Sequence, residues 1–411
     1  MSAATETTVH EPVPTGDGGP GPLGMAWNAL TGNLRQSGIY FAFVAIVLLA
    51  TWLTDGILLN PRNLSNLTQQ YSYILILAIG MVIVIIAGHI DLSVGSVVAL
   101  VGAVAATLVV KEGVPWWAAM LVSLALGAVI GAWQGFWVAF VGIPAFITTL
   151  AGMLLFRGLT FLVLDNKSLS PFNAPYTTLA AGFQNGLLGG YGYDVFTLVV
   201  FGVAVVGFGY MMWRARAGRI KYQQAVESLP LFFAKVLAIG AVVMAFAWQL
   251  AHYRGLPNVL ILLAFLILVY AVVTTRTVFG RHVYAIGGNL SAAQLSGVKV
   301  KWVNFGVMLN MGVLASVAGI VFSSRSNGAQ PTAGNMFELD AIAACFIGGA
   351  STTGGIGRVG GAMIGGLIMA VLSNSMQILG YGQSTQQVVK GLVLLLAVAF
   401  DVYNKRRAGT R

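Results

Sequence analysis

Residues 72–110 read SYILILAIGMVIVIIAGHIDLSVGSVVALVGAVAATLVV. Two apolar runs, near 71–88 and 95–110, meet at Gly88-His89-Ile90-Asp91-Leu92-Ser93-Val94-Gly95-Ser96 with almost no loop between them. A membrane-spanning helix needs ~20 mostly apolar residues. Helices and closed barrels are the only spanning solutions, and runs this continuous lack the alternation of a barrel strand. Working outward, further runs lie near 38–54, 116–140, 145–164, 195–213, 235–252, 257–275, 303–322, 359–379 and 387–401. A twelfth, 337–350, is short and Gly-ended and reads as a broken or partial helix. The expected fold is an all-α polytopic membrane protein of about 10–12 transmembrane helices with discontinuous segments. Residues 1–36 read as a disordered cytoplasmic tail, rich in Pro, Gly and Thr and without the basic and apolar regions of a signal peptide. Residues 37–404 form the transmembrane domain and 405–411 a basic cytoplasmic tail.

Composition agrees. Of 411 residues, 57% are hydrophobic and 8% charged, against ~25% charged in a soluble domain. So few charges cannot cover a soluble core, which excludes a soluble globular protein, a disordered chain and a nucleic-acid binder. The net charge of +10 is a matter of topology. If all twelve runs cross, fifteen of the 22 basic residues fall on one side, concentrated in loops 214–235 and 276–301 and in the tail, and five on the other. That bias puts both termini in the cytoplasm. The lone Cys345 lies in an apolar run and reads as a small buried hydrophobe, and the four histidines lack ligand spacing, so no metal or other cofactor is expected.

No G-x-x-x-x-G-K-[ST] phosphate loop occurs, so the chain does not handle ATP by that route. An ion-driven carrier usually carries intramembrane acids. Only Asp91, Glu338 and Asp340 are candidates, each at a run's end. No hydrolase constellation accompanies His89, His252 or His282. The chain therefore reads as a conduit, passive or driven from outside, and not as an enzyme.

Asp91 and Ser93 are good N-cap types for a helix starting near Val94. With Gly95 and Ser96 they mark a capped helix break or, more sharply, a gate, and Glu338 and Asp340 read the same way at the start of the partial helix. In the loop 281–300, Gly287 and Gly288 permit a turn, Asn289 can cap a helix Leu290–Ser296, and Gly297 suits its C-terminal end. That loop is either a plain surface loop or a docking helix for a cytoplasmic partner. Gly354, Gly355, Gly360, Gly361, Gly365 and Gly366 read as close packing, not as a phosphate cradle. Arg157 either snorkels or faces a polar cavity, and Lys390 is expected to snorkel. Gln134, Asn310 and Asn374 suit a sugar's hydroxyls but more commonly join helices.

IDLSVGS at 90–96, GRHVYAIGGNLSAAQLSGV at 280–298 and PTAGNMFELDAIAACFIGGAS at 331–351 closely resemble the permease subunits of binding-protein-dependent sugar ABC importers, the ribose, xylose, arabinose and galactose group. The stretches 143–164 and 390–405 look most like multiple-monosaccharide permeases, then xylose permeases. The resemblance implies a bacterial inner-membrane assembly. It would consist of two permease copies (a homodimer), a cytoplasmic double-cassette ATPase and a periplasmic or extracellular sugar-binding protein, with a monosaccharide as substrate and lipid around the helices. It makes 289–297 the ATPase-coupling helix, with Ala292, Ala293 and Leu295 facing the ATPase and Arg281 and Lys299 flanking it. Gln134, Arg157 and Asn310 stand as possible pathway residues. Alternatives are a permease for another small solute, such as branched-chain amino acids, and an ion-coupled carrier working alone.

Overall fold

The computed structural model describes residues 34–407 except Ala225; the expected tails 1–36 and 405–411 fall largely outside this range. Among the described residues the chain is mostly helical. The helix α1 (Leu34–Leu53) leads through a short turn to α2 (Pro61–Gln70), which bends by 44° into α3 (Ser72–Ile86). After the break come α4 (Val94–Ala106), α5 (Trp116–Phe136) and α6 (Ala145–Leu164). Both α4 and α5 end in a π-helical turn. The short helix α7 (Ala174–Ala181) precedes strand β1 (Phe183–Gln184). Then α8 (Val195–Lys221) and α9 (Leu229–Ala251) form a hairpin that returns at strand β2 (Leu256–Pro257). The chain ends with α10 (Asn258–Arg276), α11 (Val278–Gly288), α12 (Leu290–Leu295), α13 (Val300–Ser326), α14 (Phe337–Ile347), α15 (Val359–Ile378) and α16 (Gln383–Arg407).

Eight of these helices, or nine with the bent α2–α3 pair, are long and apolar enough to cross a membrane. The α14 helix has 11 residues. At ~1.5 Å per residue it covers about half of a ~30 Å hydrocarbon layer. It is the partial helix that 337–350 leads one to expect.

The loop expected over 214–235 is mostly helix. Arg214, Arg216, Arg219 and Lys221 lie on α8, and Lys235 lies on α9 facing Glu227 at 3.8 Å. Arg and Lys are strong helix formers, and cations in a last turn favour the helix dipole. Only 222–228 remain to turn the chain. Likewise 276–301 is two helices, α11 and α12, and not an open loop.

The core forms around α3, whose residues are nearly all buried, and α13, which packs on α3, α4 and α5. The approach of α13 to α5 is backbone to backbone. A Cβ on Gly131 would stand 2.7 Å from the Met308 carbonyl oxygen and 2.8 Å from that of Leu309. Gly127, Gly131 and Gly135 repeat at the four-residue spacing that lets membrane helices touch closely. Gly361 and Gly365 do the same for α15 against Gly348 and Ala344, and Gly366 meets Leu75, as the packing reading expects; Gly360 has open space beside it. Cys345 is fully buried.

By contrast α8 and α9 pack chiefly on each other and expose most of their apolar side chains. The ladder closing this hairpin pairs Phe183 with Pro257 and Gln184 with Leu256. Asp194 caps α8 by accepting the Thr197 N–H at 2.9 Å, and it also accepts the Gly186 N–H.

Candidate functional site

The break after α3 is a small hydrogen-bonded knot. Gly88 takes φ +84°, which turns the chain back. Asp91 is buried, and its Oδ1 accepts the Ser93 N–H at 2.8 Å and the Ser93 hydroxyl at 2.7 Å. Gln134 of α5 donates its amide to Ser93 Oγ at 2.6 Å. Thr149 of α6 accepts the Leu92 N–H at 3.1 Å, and its hydroxyl faces the Ile90 carbonyl at 3.4 Å. Ser96 donates to the Ser93 carbonyl at 2.7 Å. Two neighbouring helices thus hold residues 90–92, which make no helical backbone bonds of their own, and this is how broken helices persist at membrane depth.

The capping expectation needs correcting. Neither Asp91 nor Ser93 bonds an N–H in the first turn of α4. Ser93 already has helical angles, φ −87° and ψ −14°, whereas a side-chain cap needs an extended residue. Asp91 closes a local turn two residues long instead.

Gly95, the second residue of α4, lies against the backbone of Gly334 and the carboxylate of Glu338. A Cβ there would collide with both, and a Cβ on Gly334 would collide with the Gly95 carbonyl. The break and the loop before α14 are therefore in direct contact. Arg157 of α6 fixes that loop by donating to the carbonyl oxygens of Pro331, at 3.2 Å, and Ala333. These bonds tie the half-buried Arg157 side chain to the protein's own backbone. Lys390, expected to snorkel, does not. It bonds Asp340 at 3.0 Å, both groups being largely buried. An ammonium within reach of a carboxylate is better solvated there than by lipid. On α14, then, Glu338 faces the break and Asp340 faces α16.

Of the three expected pathway residues, Gln134 and Arg157 bond the break and the loop that touches it, whereas Asn310 has a different neighbour. Gln134 belongs to the break. Asn310 accepts from the Tyr270 hydroxyl, joining α13 to α10. Asn374 and Asn63 exchange bonds of 2.8 and 3.2 Å between α15 and α2. Thr149 is absent from the residues expected at the break; its nearness to Pro144 in a polar patch of a span is the one sequence signal that points to it.

At one end of the molecule α3, α11 and the turn before α15 meet. The Ile86 carbonyl accepts the Gly355 N–H at 2.9 Å, and the Tyr284 hydroxyl donates to the Gly357 carbonyl at 2.7 Å. Gly287 sits so close to Ile86 and Gly355 that a Cβ would not fit, whereas Gly288 has open space. Directly after these, Asn289 caps α12 by accepting the Ala292 N–H at 2.9 Å, and Gly297 ends it at φ +81°. The helix is one residue shorter than the expected Leu290–Ser296. Its expected outward face also needs correcting. Ala293 is buried against the protein's own body, while Ala292 and Leu295 point outward, Leu295 at 91% exposure. In so short a helix, a buried residue and one two positions later lie on nearly opposite faces. Arg281 and Lys299 are exposed beside it.

Comparison with known proteins bears on this arrangement. Residues 63–398 match the family described as "Branched-chain amino acid transport system / permease component". The xylose transport system permease protein XylH of Escherichia coli (strain K12) is 40% identical over 408 residues, 99% of this chain and 100% of the relative. XylH of Haemophilus influenzae is 40% identical over 374 residues, 90% and 97% of the two chains. The ribose import permease protein RbsC of Escherichia coli (strain K12) is 37% identical over 374 residues, 91% and 95%. No solved structure matches the chain.

Proposed function

The chain belongs to the branched-chain amino acid transport system / permease component family, and from that premise we propose that it is the membrane-spanning subunit of an ATP-driven monosaccharide importer. The carrying observation is the 40% identity to a xylose permease along 99% of the chain. Two copies would form the conduit in a bacterial inner membrane, with both termini and α12 on the cytoplasmic side. A separate double-cassette ATPase would supply energy, and a binding protein outside would deliver a pentose or hexose. The positive-inside bias supports this orientation.

The geometry suggests how force would travel. An ATPase pressing on α12 would displace α11, which ends one residue before it at the extended Asn289. Gly287 and Tyr284 carry that displacement to the end of α3 and to the turn at 354–357. These are the two supports of α14: the break follows α3, and the turn follows α14. A shift of α14 changes its contact with Gly95 and its ion pair with Lys390 together. Discrete rearrangement of packed elements of this kind is how small displacements become conformational states.

The family's description keeps an amino-acid substrate as a second reading. Proteoliposomes holding the permease, its ATPase and its binding protein decide, using labelled D-xylose, D-ribose and L-valine. ATP-dependent uptake of a sugar is expected. Uptake of valine alone, or concentrative uptake without the ATPase, refutes the proposal.

A further inference from the structure

A cavity of about 410 Å³ lies between α3, α14, α15 and α16. That is within the ~300–1,000 Å³ of small-molecule sites. Its lining is unusual for a chain so apolar. On α16, Gln383, Gln386, Gln387 and Lys390 repeat at the i, i+3, i+4, i+7 spacing of one helix face, and all four line the cavity. Opposite them stand Tyr73 and Asp340, with Ser373 and Gln377 on α15.

Polar residues inside spans usually tie helices together. These amides do not tie α16 to its neighbours. Gln386 bonds the Tyr381 carbonyl, five residues away on its own segment, and among the described residues no bond joins Gln383 or Gln387 to another helix. Gln383 and Gln387, facing the cavity with no protein partner among the described residues, offer donors and acceptors to a ligand. Lys390 and Asp340 neutralise each other at 3.0 Å, so the lining presents no net charge. Tyr73, stacked on Phe337 at 4.2 Å, adds an aromatic wall.

The cavity also has a direction. α15 begins at Val359, beside the turn that touches Ile86 and Gly287, and runs for 20 residues, about 30 Å. Ser373 and Gln377, near its far end, are therefore remote from α12. The amides of α16 begin at that same far end, and Asp340 and Lys390 lie deeper, at the half-helix α14.

We propose that this cavity is a monosaccharide-binding vestibule, open on the face opposite α12, with the α16 amides and Tyr73 holding the sugar and the Asp340–Lys390 pair forming its floor. A pyranose is neutral, carries hydroxyls that both give and take hydrogen bonds, and has an apolar ring face that packs on an aromatic ring. The proposal rests on the sugar-importer reading. Because Asp340 and Glu338 share α14, sugar at the floor is one helix away from the contact with Gly95.

The single cysteine makes the test clean. Cys345 is fully buried, so a cysteine placed in the cavity is this chain's one thiol open to a water-soluble methanethiosulfonate reagent, and labelling is read on this subunit alone. Gln387→Cys and Gln383→Cys are labelled in the assembled transporter with and without D-xylose, D-ribose or L-valine. Thr385→Cys, on the face of α16 turned from the cavity, is the control. At a sugar concentration twice its dissociation constant, occupancy slows labelling about threefold. That protection is expected at 387 and 383 and not at 385. No protection by either sugar up to about 100 mM, which nearly fills a millimolar site, overturns the proposal, as does protection by valine alone. ATP-driven uptake by the unsubstituted assembly is measured beside it. Absent sugar uptake overturns the importer reading and this site with it, whereas uptake without protection overturns the site alone.

Discussion

Gly95→Ala is the most informative single change. Alanine at a helix position normally stabilises by ~0.5–1 kcal/mol, because glycine loses more backbone freedom on folding. Gly360, with open space beside it near the start of α15, isolates that gain. At Gly95 the new methyl meets the carbonyl of Gly334 and the Glu338 carboxylate. The Gly334 oxygen is backbone, in a loop that Arg157 holds at Pro331 and Ala333, so it cannot swing away as a side-chain tip does. Forced overpacking costs ~1–3 kcal/mol, which exceeds the helix gain over most of that range. Gly95→Ala should therefore lower the midpoint of thermal unfolding while Gly360→Ala raises or preserves it. A thiol-reactive fluorophore that reaches Cys345 only on unfolding reads both. ATP-driven uptake should fall with Gly95→Ala at temperatures where the protein is still folded, since the contact between break and half-helix is wedged open. Equal midpoints for the two variants, with uptake intact in both, would refute this account of how α4 and α14 meet.

Other substitutions separate adjacent roles. Leu295→Asp, on the exposed face of α12, should leave the unfolding midpoint unchanged and abolish co-purification with the ATPase. Ala293→Asp buries an unpaired carboxylate and should lower the midpoint outright. Arg157→Met leaves the Pro331 and Ala333 carbonyls without their donor, at ~1–3 kcal/mol for each one that stays buried, and the same thermal assay should show it. Gln134→Leu keeps the volume but removes the donor to Ser93 Oγ. A loss of about 1 kcal/mol, much smaller than for Arg157→Met, is expected because Ser93 keeps Asp91 as its acceptor.

Much of this architecture is readable along the chain. Uninterrupted apolar runs have few physical outcomes, so the helices, the break at 88–93 and the partial helix α14 emerge from run length and flanking residues alone. Asn289 and Gly297 bound α12 by local chemistry and are equally visible. Contacts across the sequence are not. Lys390 meets Asp340 fifty residues away, and nothing local distinguishes a lysine that pairs from one that snorkels. Arg157 meets carbonyls of a loop more than 170 residues on. A helix that is apolar all round gives no sign of which face is inside. The four-residue spacing of Gly127, Gly131 and Gly135 therefore does not stand out in a chain so rich in glycine. For the same reason Gln134 and Asn310, chemically alike, serve unrelated neighbours. The α16 amides give no signal of their own, because a polar stripe at the end of a span resembles an ordinary helix terminus until α3, α14 and α15 are brought against it.

The ladder beneath α8 and α9 bears on how such a chain can change length. Gln184 and Leu256 face each other across two paired strands, so their Cα atoms stand only ~5 Å apart. Everything between them, 71 residues, leaves the core and returns to the point of departure. Excising that stretch would ask the backbone to bridge little more than one residue's length, and a different stretch would need only the same closely spaced ends. Because the excursion is two helices, a number that restores the original side of the membrane, neither its removal nor its replacement by another even number of crossings would invert the C-terminal helices. The hairpin is in this sense a cassette: a lineage can acquire, lose or replace it while the conduit, and the orientation of everything downstream, is inherited intact.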